Sequence, residues 1–458
     1  MYINDNFKYL SIGLSDDILR HKIYGDFEGA IRLVDMKMSD ENVPEPFKNC
    51  LKVQREIMLR LSDDYPLTKE EALAIVHKHI PDFTEEEFDK LVDEGRIWWI
   101  YIKGEPHYFN RFFETLCKTD AAFAKRAGIN ASELESFING EPLKEYSMRL
   151  MREKGKMTNQ FRCRASVRIK DEYFEKGKLV RVHLPIPCAC EQQRDIKIEK
   201  IYPVSGSVAP EDAPQRTVCW EEVMEENHEF YVEFSYIHTA KYHDISKIIP
   251  SEHQPAFDTD ELPPHIMFTP YIRELVNTLS KGTTNPLEKA RNFYDFITRN
   301  VKYSFMPAYF GLENIADSCA RNLAGDCGVQ ALLFITMCRC AGIPARWQSG
   351  WIVEPEFCGS HDWAMFYIEP YGWLYADPSF GGGAVRKGNE ALRQHYFGNL
   401  DPYRMVANSE FQAEFTIPKN HWRADPYDNQ VGEIEIEDRG LRYYEYERSK
   451  EVISCVEI

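Results

Sequence analysis

Cys327 is the side chain in this sequence with the strongest case for covalent chemistry. It follows Gly325-Asp326, which breaks the chain and supplies a helix N-cap, and a helical apolar pattern runs on until Gly342 and Pro344 end it. A cysteine in the first turn of a buried helix lies beside unpaired backbone N–H groups and the positive end of the helix dipole, which favour the thiolate. Because the thiolate is the reactive form, this position predicts a nucleophilic sulfur.

A histidine and an aspartate follow on two strands that are predicted to form a hairpin. Residues 361–368 and 373–377 each alternate in side-chain character, and Glu369-Pro-Tyr-Gly372 supplies the turn between them. An antiparallel hairpin brings the start of its first strand close to the end of its second, so we expect His361 near Asp377. His361 can then accept the thiol proton, while Asp377 orients the imidazole and stabilises its charged form.

Each of these three residues also has a purely structural interpretation. A cysteine at a helix start can be a packing residue, and a histidine at a strand start can be an ordinary surface or core residue. An aspartate before a proline can be a turn residue. The combination, with each residue on the kind of element that its role needs, favours a Cys-His-Asp triad over three unrelated structural residues.

These motifs together resemble the transglutaminase-like superfamily of papain-type fold. The family pattern is a Gly-Asp-Cys helix start with Gly-Ile-Pro-Ala-Arg at its far end, then a His-x-Trp strand and a Gly-Trp…Asp-Pro strand. The matching residues here are Gly325-Asp326-Cys327, Gly342-Ile343-Pro344-Ala345-Arg346, His361-Asp362-Trp363, and Gly372-Trp373 with Asp377-Pro378. The match covers about residues 285–381, and it implies that Cys327 is the nucleophile, His361 the base and Asp377 the orienting acid.

The chain departs from the family pattern beside the histidine. Family members often have alanine after the histidine and an acid two residues beyond the tryptophan, whereas this chain has Asp362 and Met365. We interpret these differences as affecting the substrate and the surroundings rather than the triad. The Cys327 backbone N–H is the first candidate for the oxyanion partner. Tyr303 is a second candidate, although it also fits a packed aromatic residue.

Tryptophans are frequent in this part of the sequence, and core packing accounts for most of them. One or two could line a cleft and stack on a flat or sugar-like substrate. The candidates for substrate binding are Trp351, Trp363, Tyr303 and Trp422. The chain around 397–403 and 421–427 is rich in aromatic and polar residues, so we expect these pieces to fold back over the cleft.

The sequence divides into three predicted domains. Residues 1–150 form a helical accessory domain, in which Thr68 and Thr84 begin capping boxes. Residues 160–248 contain short segments with a period of two, separated by turns, which predicts a β-sandwich. Residues 262–458 hold the catalytic domain with a C-terminal extension. The predicted fold class is α+β, with a papain-like core whose cysteine-bearing helix packs on an antiparallel sheet.

The composition argues against two kinds of partner. Among 458 residues, 55 basic side chains face 73 acidic ones, a net charge of −18, so neither nucleic acid nor a membrane surface is an expected partner. No stretch approaches 18 consecutive apolar residues, which argues against a membrane span. A helix, a short extended piece around Trp98–Ile102 and a further helix resemble a winged-helix unit, but the charge around them is acidic.

The twelve cysteines are scattered, and the first residues lack the basic start and apolar run of a signal peptide. We therefore expect mostly reduced thiols and a cytoplasmic location. The pairs Cys188/Cys190 and Cys338/Cys340 are each separated by a single residue, and no second pair accompanies them at zinc-site spacing. Since no Asp/Asn-rich loop of calcium-binding spacing is present either, the sequence predicts neither a metal nor a cofactor.

The residues and the resemblance together predict a cysteine-nucleophile acyl-transfer enzyme. It would hydrolyse an amide bond of a peptide, a glycopeptide or another amide through a covalent intermediate on Cys327. Hydrolysis is favoured over cross-linking because no residue indicates a site that holds an amine and excludes water. The alternatives are a protein-glutamine γ-glutamyltransferase, a glycan- or glycopeptide-directed amidase, and a non-catalytic binding protein. The sequence leaves the oligomeric state open.

Overall fold

Helices and mainly antiparallel sheets occupy largely separate stretches of this chain, so its fold class is α+β. The computed structural model describes residues 3–129, 136–138 and 140–458. The other residues of the predicted N-terminal domain lie outside the described residues. None of the described helices is long and apolar enough to cross a bilayer.

The N-terminal part is helical and carries one hairpin of four-residue strands. Both predicted capping boxes are present, with Thr68 starting the fourth helix and Thr84 the fifth. Two small apolar cores hold it together, one within the first three helices and one around the hairpin. The elements are α1 (Asp16–Tyr24), α2 (Phe27–Ser39), α3 (Glu45–Asp64), α4 (Lys69–His77), α5 (Glu85–Asp93), β1 (Trp99–Ile102), β2 (Glu105–Tyr108), α6 (Phe112–Thr119), α7 (Ala121–Arg126), β3 (Phe137–Ile138), β4 (Glu141–Pro142) and α8 (Leu143–Lys154).

Strands dominate the next segment, as its period of two predicts. Along the first long strand, Phe161, Cys163, Ala165 and Val167 are buried, and they pack against side chains of a second sheet in one common core. The strands are β5 (Lys156–Ile169), β6 (Lys178–Pro185), β7 (Gln193–Tyr202), β8 (Ser207–Val208), β9 (Thr217–Met224) and β10 (Phe230–Lys241).

The cysteine-bearing helix and an antiparallel sheet form the next unit. Its elements are α9 (Pro270–Leu279), α10 (Pro286–Asn300), β11 (Lys302–Tyr303), α11 (Ile315–Asn322), β12 (Ala324–Gly325), α12 (Cys327–Cys340), β13 (Ala345–Glu354), β14 (Phe357–Ile368), β15 (Gly372–Ala376), α13 (Pro378–Arg386), α14 (Glu390–His395), β16 (Phe397–Gly398) and β17 (Arg404–Asn408). The sheet order is β16-β15-β14-β13-β17, and its strand pairs are antiparallel.

α12 is the centre of this unit. Every residue from Gly328 to Cys338 is buried, so the helix is covered on all sides rather than along one apolar stripe. It packs on β13 and β14 on one side and on α9, α10, α11 and α13 on the others. A helix enclosed in this way holds the position of its first residue firmly.

The C-terminal residues belong to the sandwich, which corrects the predicted division at residue 248. The last strands are β18 (Glu433–Ile436), β19 (Arg439–Gly440) and β20 (Tyr446–Glu457). They complete two sheets of order β20-β5-β10-β7 and β19-β18-β6-β9-β8. Without them, β5 and β6 would each be edge strands with unpaired backbone groups. The local periodicity of β5 and β6 cannot show that strands from the far end of the chain pair with them.

Candidate active site

Cys327 opens α12, and the residues on either side of it fix that start. The carboxylate of Asp326 caps the helix by accepting the backbone N–H of Val329 at 3.1 Å, as the sequence predicts. β11 pairs in parallel with β12, which places Tyr303 opposite Gly325. The hydroxyl of Tyr309 donates to the same oxygen, Asp326 Oδ1, that accepts the N–H of Val329. The thiol is therefore held between a capped helix and an aromatic segment.

A cleft with a volume of about 520 Å³ opens above Cys327. Three distant parts of the chain line it: the N-terminal domain, the unit that carries Cys327, and the C-terminal residues after 423. The lining residues are Arg60, Asp63, Asp64, 109–111, Tyr303, 305–309, Asp326, Cys327, Ser360, Asp362, Ala424, Asp425, Asp428, Gln430, Val431, 442–444 and Arg448. The piece at 421–427, predicted to cover the cleft, thus contributes part of its wall, and the accessory domain contributes another part.

The hairpin of β14 and β15 brings His361 to Asp377. The register pairs Ala364 with Ala376, so Asp377 follows directly after the paired residues. His361 Nε2 lies 2.7 Å from Asp377 Oδ2. The other carboxylate oxygen of Asp377 caps α13 by accepting the N–H of Phe380 at 2.9 Å. Asp377 is thus fixed by a helix start on one oxygen and by an imidazole on the other.

Arg404 joins His361 and Asp377 as a third buried side chain, and the sequence did not predict this contact. Its Nη1 lies 2.8 Å from Asp377 Oδ2 and its Nη2 lies 2.8 Å from Asp401 Oδ2, with all three side chains buried. Burial alone would raise the pKa of Asp377, but His361 and Arg404 outweigh it and hold that pKa below its usual range. For His361 burial wins over the attraction of Asp377, and its pKa is lowered. The pair is therefore a neutral imidazole on an ionised carboxylate.

The thiol of Cys327 donates its hydrogen bond to Asp362, whose Oδ2 lies 3.1 Å from Sγ. Burial, followed by the charges of Asp362 and Asp326, raises the pKa of Cys327 well above its usual value, and Lys118 opposes them only weakly. The expectation that the helix N-terminus yields a thiolate is therefore not met here. The helix dipole favours ionisation, but burial and the two nearby carboxyl groups outweigh it.

Among the hydrogen bonds of the described residues, none joins His361 to Cys327. Asp377 engages Nε2 of the imidazole, which leaves Nδ1 as the nitrogen available for proton exchange. The ring is held by Phe380, whose centroid lies 4.4 Å away. The arrangement thus contains an oriented imidazole and a protonated thiol, with Asp362 as the thiol's partner.

Two of the predicted substrate-binding tryptophans lie in the core, which corrects their assignment. Trp351 and Trp363 are fully buried and do not line the cleft. The indole N–H of Trp351 donates to the carbonyl of Gln430 at 2.7 Å, and that of Trp363 donates to Gln348 Oε1 at 2.9 Å. Each indole is thus satisfied internally, which is the usual arrangement for a buried tryptophan.

Trp422 and Tyr303 differ in their relation to the cleft. Trp422 packs edge-on against Phe7 and Phe310 at 5.7 and 5.6 Å between ring centroids, outside the cleft wall, so its assignment is also corrected. Tyr303 does line the cleft beside Cys327, and the ammonium of Lys118 lies 4.0 Å from its ring centroid. Tyr303 is therefore the predicted substrate-binding residue that the structure brings to the thiol.

The described residues contain no group of three or more His, Cys, Asp or Glu side chains arranged to hold a metal ion. The side chains that line the cleft include a thiol, carboxylates, phenols and guanidinium groups. Asp362 was visible in the sequence as a departure from the family pattern. Gln430, which bonds to Asp362 Oδ1, carried no signal, because a glutamine in an irregular segment has no recognisable pattern.

Residues 273–378 match the family model of the transglutaminase-like superfamily. No curated protein matches the chain. Among solved structures, a candidate cysteine protease from Cytophaga hutchinsonii is 15% identical, with a TM-score of 0.43 over 66% of this chain and 91% of that one. The periplasmic domain of TgpA from Pseudomonas aeruginosa is 13% identical, with a TM-score of 0.28 over 54% of this chain and 95% of that one. Likenesses this low carry no information about substrate.

Proposed function

We propose that this chain, which carries a transglutaminase-like domain in residues 273–378, hydrolyses an amide bond through a thioester on Cys327. The observation that carries the proposal is the position of Cys327 at the start of an enclosed helix, opening into the cleft. The hydrogen bond between His361 and Asp377 adds support. By the same proposal, His361 is the base and Asp377 is the acid that orients it.

The first half of the reaction forms the acyl-enzyme. Nδ1 of the neutral imidazole accepts the thiol proton while Sγ forms a bond to the amide carbonyl carbon, and the carbonyl electron pair moves to oxygen. The backbone N–H of Cys327, in the first turn of α12, is the proposed donor to that oxygen. The imidazolium returns its proton to the amide nitrogen as the C–N bond breaks, which leaves an acyl thioester and a free amine.

The second half repeats these steps with water. His361 accepts a proton from the water as its oxygen bonds to the thioester carbon. When the intermediate collapses, the C–S bond breaks and the leaving sulfur takes the proton back from the imidazolium. Asp377 stays ionised throughout and stabilises each imidazolium, a role that Arg404 supports by keeping its carboxylate charged. The products are a carboxylic acid and the regenerated thiol.

A peptide or glycopeptide is the proposed class of substrate, since a cleft walled by three parts of the chain suits an extended ligand better than a compact one. We also propose a cytoplasmic location. The twelve cysteines are free thiols, and a reducing compartment keeps the nucleophile from oxidation. Transfer to an amine, a glycan-directed amidase and a non-catalytic role are the competing proposals.

The test is a panel of peptides, glycopeptides and glutamine-containing peptides, incubated with and without a primary amine. We expect a new carboxylate product, no incorporation of the amine, and no product from the Cys327→Ala variant. Mass spectrometry of the products distinguishes the proposals. Amine incorporation would indicate a transferase, and release of an intact glycan would indicate an amidase. An identical outcome for wild type and variant across the panel would contradict cysteine catalysis.

A further inference from the structure

We infer that Asp362 is a positioning residue that holds the Cys327 thiol in its protonated form while the cleft is empty. The inference rests on the proposed function in one respect, namely that Cys327 is the nucleophile. It assigns a role to the residue that stands where the family often has alanine. By this inference, the sulfur of the free enzyme is hydrogen-bonded to Asp362 before the reaction begins.

Both carboxyl oxygens of Asp362 accept hydrogen bonds, so the orientation of its side chain is fixed. Oδ2 accepts from Cys327 Sγ at 3.1 Å, and Oδ1 accepts from the side-chain amide of Gln430. Gln430 is itself held by Asp428, whose Oδ2 lies 2.8 Å from the same amide nitrogen. Asp428 Oδ2 also accepts from Ser349 Oγ at 2.5 Å. This chain of contacts anchors Asp362 to β13 and to the C-terminal segment.

The start of α12 has room for this carboxylate because residue 328 is glycine. A β-carbon at Gly328 would collide with the hydroxyl of Tyr309 and would lie 3.0 Å from Asp362 Oδ2. Any larger residue would push Tyr309 or Asp362 away from the helix start. The close approach of the carboxylate to the sulfur thus depends on Gly328, the residue that follows Cys327.

The charges around the sulfur favour the proton staying on it. Asp362 faces it from β14 and Asp326 from the helix cap, while Lys118 of α6 is the cation whose influence opposes them. Asp428 lies behind Asp362, and the phenol of Tyr303 lines the same space. Burial and the carboxyl of Asp428 raise the pKa of Asp362 well above its usual value, so this carboxyl also resists ionisation. Burial is the largest cause of the raised pKa of Cys327, and a thiolate formed beside an ionised Asp362 would add like charge at short range.

The expected consequence is that the Cys327 thiol reacts slowly with electrophiles and oxidants until its proton is transferred. Alkylation and oxidation both follow the thiolate population, so Cys327 of the free enzyme should react slowly with small electrophiles. Proton transfer to His361 requires the sulfur to exchange its bond with Asp362 for one with the imidazole. The bond to Asp362 therefore sets the state from which catalysis begins.

The test measures the rate at which iodoacetamide alkylates Cys327 as a function of pH, without any substrate, by mass spectrometry of the peptide that contains it. We expect Asp362→Asn to move the midpoint of this rate to lower pH, and to increase the rate about tenfold at a pH where Asp362 of the wild type is ionised, because one adjacent negative charge is then removed. The matched control is Asp425→Asn. Asp425 lines the same cleft but bonds to the N–H of Tyr427, and its variant should give a smaller increase.

An unchanged or lower rate in Asp362→Asn would overturn the inference, and so would an equal increase in Asp425→Asn. If Asp362→Asn does not fold, Asp362→Ala provides the same decision, since it removes the same carboxyl from the sulfur and should also raise the alkylation rate. An unchanged rate in that variant counts against the inference. Because no substrate is involved, a negative result in the hydrolysis panel leaves this outcome unaffected.

Discussion

Replacing Cys327 with alanine should lower amide hydrolysis by about a thousandfold or more, since loss of a nucleophile removes the covalent route itself. The substitution removes one sulfur from the first residue of a buried helix and leaves the N-cap formed by Asp326 in place. The thermal unfolding temperature should therefore change little. The measurement is kcat/KM for a cleaved substrate from the panel, together with a melting curve for each protein.

Cys340→Ala is the matched control for this variant. Cys340 is the last residue of the same helix, half-buried and distant from the cleft. Its variant should keep wild-type activity. Cys327→Ala activity within tenfold of the wild type would show that the sulfur is not the nucleophile, whatever the cleft otherwise does.

Arg404→Met should reduce the free energy of unfolding by about 3–5 kcal/mol, because it leaves buried carboxylates without their cation. Arg404 is fully buried and lies 2.8 Å from both Asp377 and Asp401. Both carboxyls have pKa values below their usual range, so their contribution is present at neutral pH and is lost as the pH falls through those values. The difference between variant and wild type, measured by urea unfolding, should therefore begin to shrink below about pH 4, where the carboxyls of the unfolded chain take up protons, and should keep shrinking as the pH falls further.

The control is Arg346→Met, which breaks the ion pair of Arg346 with Asp258. Both partners are partly exposed there, and such pairs contribute at most about 1 kcal/mol. Equal losses for Arg404→Met and Arg346→Met would contradict the role given to the buried guanidinium. A loss for Arg404→Met that grows as the pH falls would contradict the sign of the linkage.

Sequence patterns predicted the parts of this fold that depend on local order. The cap on Asp326, the helix from Cys327 and the hairpin that joins His361 to Asp377 all follow from residues close together in the chain. Each of these features depends on short-range rules of capping, periodicity and turn formation. The resemblance to a known family rested on the same short segments.

The features that the sequence did not predict depend on contacts between residues that are far apart in the chain. β20 pairs with β5 across nearly the whole chain, and Arg404 reaches Asp377 from another strand, so neither contact leaves a local pattern. The thiolate expectation failed for a similar reason. The helix start favours ionisation, but burial and the carboxyl of Asp362, which reaches the sulfur from β14, outweigh it. Trp351 looked suited to stacking on a ligand, yet two sheets bury it.

The most direct test of the account is to trap the acyl-enzyme. A peptide anilide from the panel is mixed with excess wild-type enzyme, quenched with acid within milliseconds to seconds, and analysed by intact and peptide mass spectrometry. We predict an adduct with the mass of the acyl group on Cys327, which hydroxylamine removes. An enzyme that cleaves the anilide without any such adduct, or with the adduct on a different residue, would contradict the proposed thioester.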